Sequence, residues 1–491
     1  MKKIYAIDWK RIHPGHQPMS TDQYYTALAN RVLNALDKSG AKVILENDAA
    51  MCDAAVRLTA WFEDICSGNM LWPVVNKVCQ QRYGKPLPFY DTTEYYPGEP
   101  NIQDIKLLLW DIIQSYFQDS VVNPENAGID LAASKILDIF DEEYETAPET
   151  EELMHYLADP AITSDYWKAR KAIEWFSLGS YLSLRSSFDL MDSLDELEGE
   201  YAGIMEYSVR LRHYFITQSY VVQLTAAQWL SMATCRDMEV DTTLFYSAGY
   251  DIVERGDDVF VLRNISDGNE IRVETDSFDA NWLRKTSPNV KRVFCDIVGY
   301  NGKFYQVGAM VSDPAPASEE AALKRIEDRK IMADNAIYSH ELFQKLGEPI
   351  VFLKGIDEVM DFYTKRLGSK MTESMRKDTE KYLRENSEHG MVAIMSDPKQ
   401  GYLTICHSIP AIKAPNNPWY SKEYAMEHAL DLVVSPNAID YYAAVYLVEN
   451  GMLPDAALTS RNGYEDGNRL LQDNARYFVD YFFAKREEFG A

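Results

Sequence analysis

Residues 258–275 read DVFVLRNISDGNEIRVET, and residues 292–311 read RVFCDIVGYNGKFYQVGAMV. Each stretch holds two runs rich in β-branched and aromatic residues, separated by Asp-Gly in the first and by Asn-Gly in the second. Asp-Gly and Asn-Gly suit tight two-residue turns, so each stretch predicts a β-hairpin. A further strand is predicted at 250–254. Together these strands predict a small antiparallel β-unit, shaped like a barrel or a curled sheet, over residues 241–313.

The sequence on either side of this β-unit has helical periodicity. Apolar residues recur at three- and four-residue spacing over much of the chain, which is typical of amphipathic helices. One more hairpin is predicted at 391–408. The fold class expected is therefore α+β and predominantly helical. It comprises a helical N-terminal region at 1–240, the β-unit at 241–313, and a mostly helical C-terminal region at 314–491.

The composition is that of a globular protein. The chain has 491 residues, of which 46% are hydrophobic and 25% charged, so it can bury a core and does not have the profile of a disordered chain. Its 49 basic and 76 acidic residues give a net charge of −27, which disfavours general binding to nucleic acid or to anionic lipid.

Targeting signals and cysteines indicate the compartment. No apolar run reaches the roughly 18 residues that a membrane helix needs, and the apolar run after Lys2-Lys3 is too short for a signal peptide. The six cysteines are widely spaced, as expected of reduced thiols. We therefore expect a cytoplasmic protein that has no membrane association.

The sequence lacks the common catalytic motifs. It contains no GxxxxGK[ST], GxGxxG, HExxH or GxSxG, so the corresponding enzyme classes have no support and no cofactor is predicted. His13 and His16 form the only close histidine pair. They are weak candidates for a metal site, because Pro-Gly separates them and no cysteine or third histidine lies nearby to complete a set of ligands.

Aromatic residues are abundant, and several lie in two proline-containing loops. The chain is 12% aromatic, with 32 tyrosines and 9 tryptophans. Loop aromatics commonly line the surfaces that bind partners, although such rings can also fold back onto a core, because each ring gains much by burial. The candidate partner-binding residues are Tyr95, Tyr96, Trp419 and Tyr420.

A basic segment between the two central hairpins runs against the overall charge. Basic groups beside an aromatic ring on a small barrel can hold single-stranded nucleic acid by phosphate contact and base stacking. On so acidic a chain, pairing with acidic faces of the same molecule or of a second copy is the stronger explanation. The nucleic-acid candidates are Trp282, Arg284, Lys285, Lys291 and Arg292.

Four stretches together resemble a known family. They are Asp8-Trp9 with His13-Pro14, Asp22-Gln23-Tyr24-Tyr25 with Leu28-Ala29-Asn30, Arg82-Tyr83-Gly84-Lys85 with Pro88-Phe89-Tyr90, and Asp141-Glu142-Glu143-Tyr144-Glu145. The resemblance, which covers mostly the first 180 residues, is to an uncharacterised bacterial family of the Bacteroidetes type, described only as a domain of unknown function. It implies a bacterial intracellular protein and brings no activity, cofactor or catalytic residue.

The function expected from these features is non-enzymatic binding. Catalytic motifs are missing while aromatic contact residues are plentiful, so the leading hypothesis is a binding or scaffold protein whose aromatic loops and β-unit form the contact surface. Its partner would be another protein or a second copy of the chain. Two alternatives stay open: a metal-dependent hydrolase or nuclease whose site is assembled only in three dimensions, and nucleic-acid binding through the basic loop of the β-unit.

Overall fold

A computed structural model describes most of the chain, in two compact units. The described residues are 3–39, 45, 47–68, 71–117, 121–197, 202–218, 221–245, 249–313, 316–366, 368, 372–397, 401–405, 407–436, 438–456 and 464–484. The first unit is formed within residues 1–326, together with Ala484, and the second within residues 327–483. The first unit thus holds both the N-terminal helices and the central β-unit, while the division into three regions stays a prediction.

The first unit is largely helical before residue 240. Its described helices are α1 (Ala6–Lys10), α2 (Asp22–Ser39), α3 (Asp48–Ser67), α4 (Leu71–Tyr83), α5 (Ile102–Tyr116), α6 (Ala127–Glu143), α7 (Glu151–Ala158), α8 (Ala161–Ser164), α9 (Tyr166–Glu174), α10 (Leu184–Asp195), α11 (Ala202–Ile216) and α12 (Ala226–Thr234).

Helices α3 and α5 form the centre of this helical core. Most side chains of both helices are buried, and a helix that is apolar on nearly all sides lies inside a core. Helix α3 begins where the Asn47 side chain accepts a hydrogen bond from a backbone N–H of its first turn, and ends at Gly68, whose φ of 61° is left-handed. Phe62 of α3 stacks on Phe140 of α6 with ring centroids 4.4 Å apart. Local capping and core packing therefore specify the same helix.

The central β-unit forms a closed barrel. Its strands are β1 (Val240–Asp241), β2 (Gly249–Arg255), β3 (Val259–Asn264), β4 (Glu270–Glu274), β5 (Arg292–Tyr300) and β6 (Lys303–Ser312). Strands β2, β3 and β4 form a meander, β5 pairs with β2 and β6, and β4 pairs with β6, while the short β1 adds to β5. The five strands predicted from the sequence are confirmed, and with them the α+β fold class.

The barrel differs from the predicted unit in one respect, because the β4–β6 pairing is parallel. A ring of five strands cannot alternate in direction all the way round, so closing it requires one parallel pair. The barrel is therefore mixed and not purely antiparallel. Its interior is filled by apolar side chains that include Tyr250, Leu262, Val273, Val293 and Ile297.

Helix α11 packs on the barrel at a bulge in strand β6. Cys295 pairs with Met310, whereas the next residue of β5, Asp296, pairs with Val307, so two residues of β6 are inserted between these pairs. One of them is Gly308, with a φ of +70°. The Ser208 hydroxyl oxygen of α11 accepts a hydrogen bond from the Ala309 N–H at 2.8 Å. The bulge therefore brings the backbone of β6 close to the helix.

Replacing Gly308 by alanine is expected to lower the free energy of unfolding by about 2–3 kcal/mol, because it adds steric overlap to an unfavourable positive φ. A Cβ at this position would lie 2.7 Å from the Ser208 hydroxyl oxygen and 3.1 Å from the Ser208 Cα. Gly302→Ala is the matched control, since Gly302 also has a positive φ but a Cβ there meets nothing within 4 Å. Urea unfolding followed by circular dichroism measures both variants, and equal losses would show that the contact with α11 is not tight.

The second unit contains a three-stranded antiparallel sheet covered by helices. Its strands are β7 (Ile350–Lys354), β8 (Met391–Asp397) and β9 (Gly401–Ile405), with β8 in the middle. Its described helices are α13 (Pro316–Leu346), which contains the boundary between the units, α14 (Gly355–Asp361), α15 (Glu373–Asn386), α16 (Lys422–His428), α17 (Asp431–Val434), α18 (Tyr441–Glu449) and α19 (Tyr464–Phe482). The predicted hairpin at 391–408 is confirmed as β8–β9, whereas β7 was not predicted.

One face of this sheet builds the core of the second unit. Val351 and Leu353 of β7 lie beside Ile394 and Val392 of β8, all on the same face. Helices α13, α14 and α15 cover this face with side chains that include Phe343, Val359 and Leu383. The alternation of β8 thus places its valine and isoleucine against helices.

Candidate functional site

The adjacent residues Tyr95 and Tyr96 have opposite environments. Tyr95 is half-buried, and its hydroxyl donates a hydrogen bond to Asp104 Oδ1 at 2.9 Å. Tyr96 is 70% exposed, the largest exposed fraction among the described large apolar side chains. Of this candidate pair, the first ring anchors the loop and the second is presented to solvent.

The anchor of this loop is a buried carboxyl group. Asp104 is fully buried in the first turn of α5. Its Oδ2 accepts a hydrogen bond from the Asn101 side-chain amide at 2.8 Å, while Asn101 Oδ1 accepts from the Asp104 N–H. Burial raises the pKa of Asp104 to about 7. The carboxyl group is therefore held in an apolar setting where it binds both Asn101 and Tyr95.

Other contacts hold the part of the loop that precedes Tyr95. The Tyr90 hydroxyl donates to the Pro124 carbonyl at 3.0 Å, and the Phe89 ring packs edge-on against Trp110 with centroids 4.8 Å apart. Because hydrogen bonds and ring contacts hold the residues around it, Tyr96 is presented in a defined position. Binding to such a residue costs less conformational entropy than binding to a mobile one.

The second aromatic loop, in the other unit, has the same plan. The Asn417 side-chain amide donates to the carbonyls of Ile409 and Ile412 at 2.8 and 2.9 Å, and its Oδ1 accepts from the Trp419 N–H. The Trp419 ring, half-buried, lies edge-on to Phe352 with centroids 6.5 Å apart. Its neighbour Tyr420 is 37% exposed. Here too one ring packs inward and the next faces solvent.

The aromatic ring of the basic segment of the barrel is half-buried. Trp282 stacks on Phe278 with centroids 5.4 Å apart, and its indole N–H donates to the Ser312 hydroxyl at 2.9 Å. Arg292 forms an ion pair with Asp251, with Nε and Oδ1 2.7 Å apart. The remaining candidates, Arg284, Lys285 and Lys291, are exposed. The structure thus places three cations on the surface, while the tryptophan packs against the barrel core.

His13 and His16 lie in different environments. His13 is 1% exposed, whereas His16 is exposed on the following turn. His13 Nε2 lies 3.0 Å from Glu63 Oε2, and Nδ1 lies 3.7 Å from Asp22 Oδ1. Across the described part of the chain, no group of three or more His, Cys, Asp or Glu side chains could hold a metal ion.

Glu63 is the centre of a buried polar network. Besides contacting His13, its Oε1 accepts a hydrogen bond from the Thr150 hydroxyl at 2.5 Å and lies 3.4 Å from the Thr21 hydroxyl oxygen. Both hydroxyls also bond to each other at 2.7 Å. The partners in these contacts are 42 to 129 positions apart along the chain, so no local sequence pattern could have identified the network. It links the N-terminal segment to α3 and to the start of α7.

Ser186 and His213 form a second buried pair that the sequence did not indicate. The Ser186 Oγ and His213 Nε2 atoms are 2.8 Å apart, and His213 Nδ1 lies 3.0 Å from the Thr217 hydroxyl. Burial lowers the pKa of His213 to about 4. A serine beside a histidine resembles a nucleophile and its base, but both residues are at most 1% exposed. The geometry supports a structural hydrogen bond inside the core.

Comparison with known proteins gives a family and no activity. A family model described as a protein of unknown function matches residues 3–256 and 314–484. Both aromatic loops lie within the matched residues, whereas strands β3 to β6 of the barrel lie outside them. No curated protein and no solved structure is significantly similar to the chain. Among the helices that the structure describes, none is long and apolar enough to span a bilayer.

Proposed function

We propose that the protein, which belongs to the DUF3843 family of proteins of unknown function, is a non-enzymatic binding protein. Its contact residue in the first unit is Tyr96, and in the second unit Tyr420. We base this proposal on the aromatic loops because both lie within the residues matched by the family model, whereas most of the barrel does not.

The observation that carries the proposal is the exposure of Tyr96 on an anchored loop. A tyrosine ring kept in water forgoes the stabilisation that burial would give, about 25 cal/mol per Å² of apolar surface. Tyrosine is also among the residues that contribute most to the affinity of protein interfaces. The hydrogen bond from Tyr95 to Asp104 and the contacts of Tyr90 keep the neighbouring residues in place, so a partner that covers Tyr96 meets an ordered surface.

The surroundings of Tyr96 support a protein partner with basic side chains. Asp91, Glu94 and Glu99 are exposed on the same loop, and the chain as a whole carries a net charge of −27. Opposite charges around an aromatic centre speed association and favour the correct partner. The expected contact is therefore an apolar pocket for the Tyr96 ring, surrounded by lysine or arginine. If two copies associated through this surface, the acidic residues of one copy would lie opposite those of the other.

The test is a photocrosslinking amino acid placed at position 96 of the full chain in the source cells. We expect one discrete adduct whose protein component is identified by mass spectrometry. With that partner purified, Tyr96→Ala should weaken binding about thirtyfold, as expected for a residue that contributes about 2 kcal/mol at an interface. The melting temperature should not change, because the ring makes few contacts.

Position 338 is the matched control, since Tyr338 is also strongly exposed, at 62%, but lies on a helix of the other unit. A crosslinker at 338 should not give the adduct, and Tyr338→Ala should bind the partner as the wild type does. Equal adducts at both positions, or wild-type affinity of Tyr96→Ala, would contradict the proposed contact.

A further inference from the structure

The second unit contains a cleft that the aromatic loops do not explain. It has a volume of about 330 Å³ and lies between helix α14 with its following turn, helix α15 and the sheet. The floor is apolar and comes from strand β8, with Val392 and Ile394, flanked by Val359 and Leu383 from the two helices. A cleft of this volume falls within the range of small-molecule sites in proteins.

Helix α15 leaves this cleft open because of the residues on its inner face. Residues 378, 379, 382 and 383 share one face of the helix, and they read Asp, Thr, Tyr and Leu. Only Leu383 reaches the core of the unit. Tyr382 is 48% exposed. Of these four residues, therefore, only Leu383 fills space between the helix and the sheet with an aliphatic side chain.

The described residues that line the cleft carry charge of one sign only, and that sign is negative. Among the described residues that line the cleft, Asp378 is the only charged one, and none is Lys, Arg or His. Tyr363 and Tyr382 contribute rings from the two helices, and Thr404 contributes a hydroxyl from β9. The faces of aromatic rings attract cations. The carboxylate and both tyrosines therefore favour the same kind of charge on a ligand.

We propose that this cleft binds a small organic cation, an alkylammonium or arylammonium compound. Its ammonium group lies among Asp378 and the rings of Tyr363 and Tyr382, and its hydrocarbon part lies on Val392 and Ile394. The proposal concerns the second unit alone and does not depend on the partner contact at Tyr96.

The experiment compares two probes of equal chain length, n-hexylammonium and hexan-1-ol, by ligand-observed NMR titration of the full chain in low salt. We expect hexylammonium to bind about tenfold more tightly than hexanol, because the cation gains from the two rings and the carboxylate. The preference should shrink as salt is added, since salt screens the attraction to an exposed carboxylate.

Three variants locate the binding. Asp378→Asn and Tyr382→Leu should each weaken hexylammonium binding about three- to tenfold and leave hexanol binding nearly unchanged. Both residues are exposed, so the fold should tolerate the changes, as circular dichroism would show. Glu380→Gln is the matched control, because Glu380 is an exposed acid on the same helix that does not line the cleft, and its binding should equal that of the wild type.

Three results would overturn the proposal. The first is equal affinity for both probes, which would show a merely apolar cleft. The second is equal weakening by Asp378→Asn and Glu380→Gln, which would show attraction to the whole acidic surface. The third is no binding of either probe at millimolar concentration.

Discussion

Glu63→Ala is expected to lower the free energy of unfolding by about 3–5 kcal/mol, because it removes a buried acidic side chain together with its hydrogen bonds. The substitution leaves the His13 Nε2 and the hydroxyls of Thr150 and Thr21 without the carboxylate that now binds them. Since Glu63 is 2% exposed, water cannot readily replace it. Urea unfolding at pH 7 measures the loss.

Two further variants show whether the hydrogen bonds account for this loss. Glu63→Gln keeps an oxygen acceptor of the same shape and should cost clearly less than Glu63→Ala. Glu145→Ala removes an exposed acid of the same unit and should change the stability by less than about 0.5 kcal/mol. A Glu63→Ala loss no larger than that of Glu145→Ala would mean that the network does not stabilise the fold.

His213 is expected to make the protein less stable as the pH falls from neutral to about 4. Burial lowers its pKa to about 4 in the folded state, whereas an unfolded histidine titrates near 6.5. Between these values the unfolded chain binds a proton that the folded chain does not, so acid favours unfolding. The effect of this residue should reach about 2–3 kcal/mol by pH 4.5 and vanish above pH 7.

The pH effect of His213 must be separated from opposite contributions. Burial raises the pKa of Asp64 to about 6 and that of Asp104 to about 7. The contribution of these two groups to the free energy of unfolding therefore decreases as the pH rises toward neutral. The measurement is therefore the stability difference between the wild type and His213→Gln at pH 7.5 and at pH 4.5. The difference should move by about 2–3 kcal/mol in favour of the variant at the lower pH. His155→Gln, at an exposed helical position, is the control, and a difference independent of pH would contradict the assignment.

Local patterns predicted the barrel strands well, because alternation and turn dipeptides act over a few residues. The Asp-Gly and Asn-Gly turns between strands form where the sequence places them. Helix α4 contains a proline, Pro73, which lies in the first turn, where a missing N–H is harmless. Strand β7 was missed because its five residues lie among helices and gain their strand partner, β8, some forty positions later.

The exposure of the candidate residues was predictable only where it follows from a loop. Tyr96 and Tyr420 are exposed as the proline-containing loops suggested. The inward position of Trp282 depends on Phe278 and on Ser312, thirty residues away, and the network around Glu63 joins segments that are further apart. Side-chain partners that meet only after folding leave no spacing in the sequence to detect.

The alternation of an inward and an outward ring in each loop has a consequence for evolution and for engineering. Loops at the surface ordinarily tolerate gains and losses of single residues, yet removing one residue just before Tyr95 would shift Tyr96 toward Asp104 and leave Pro97 facing the solvent. Length would then matter more than residue identity in this segment. Homologues that keep the contact should vary freely in its acidic residues while preserving the number of residues between Tyr90 and Asp104.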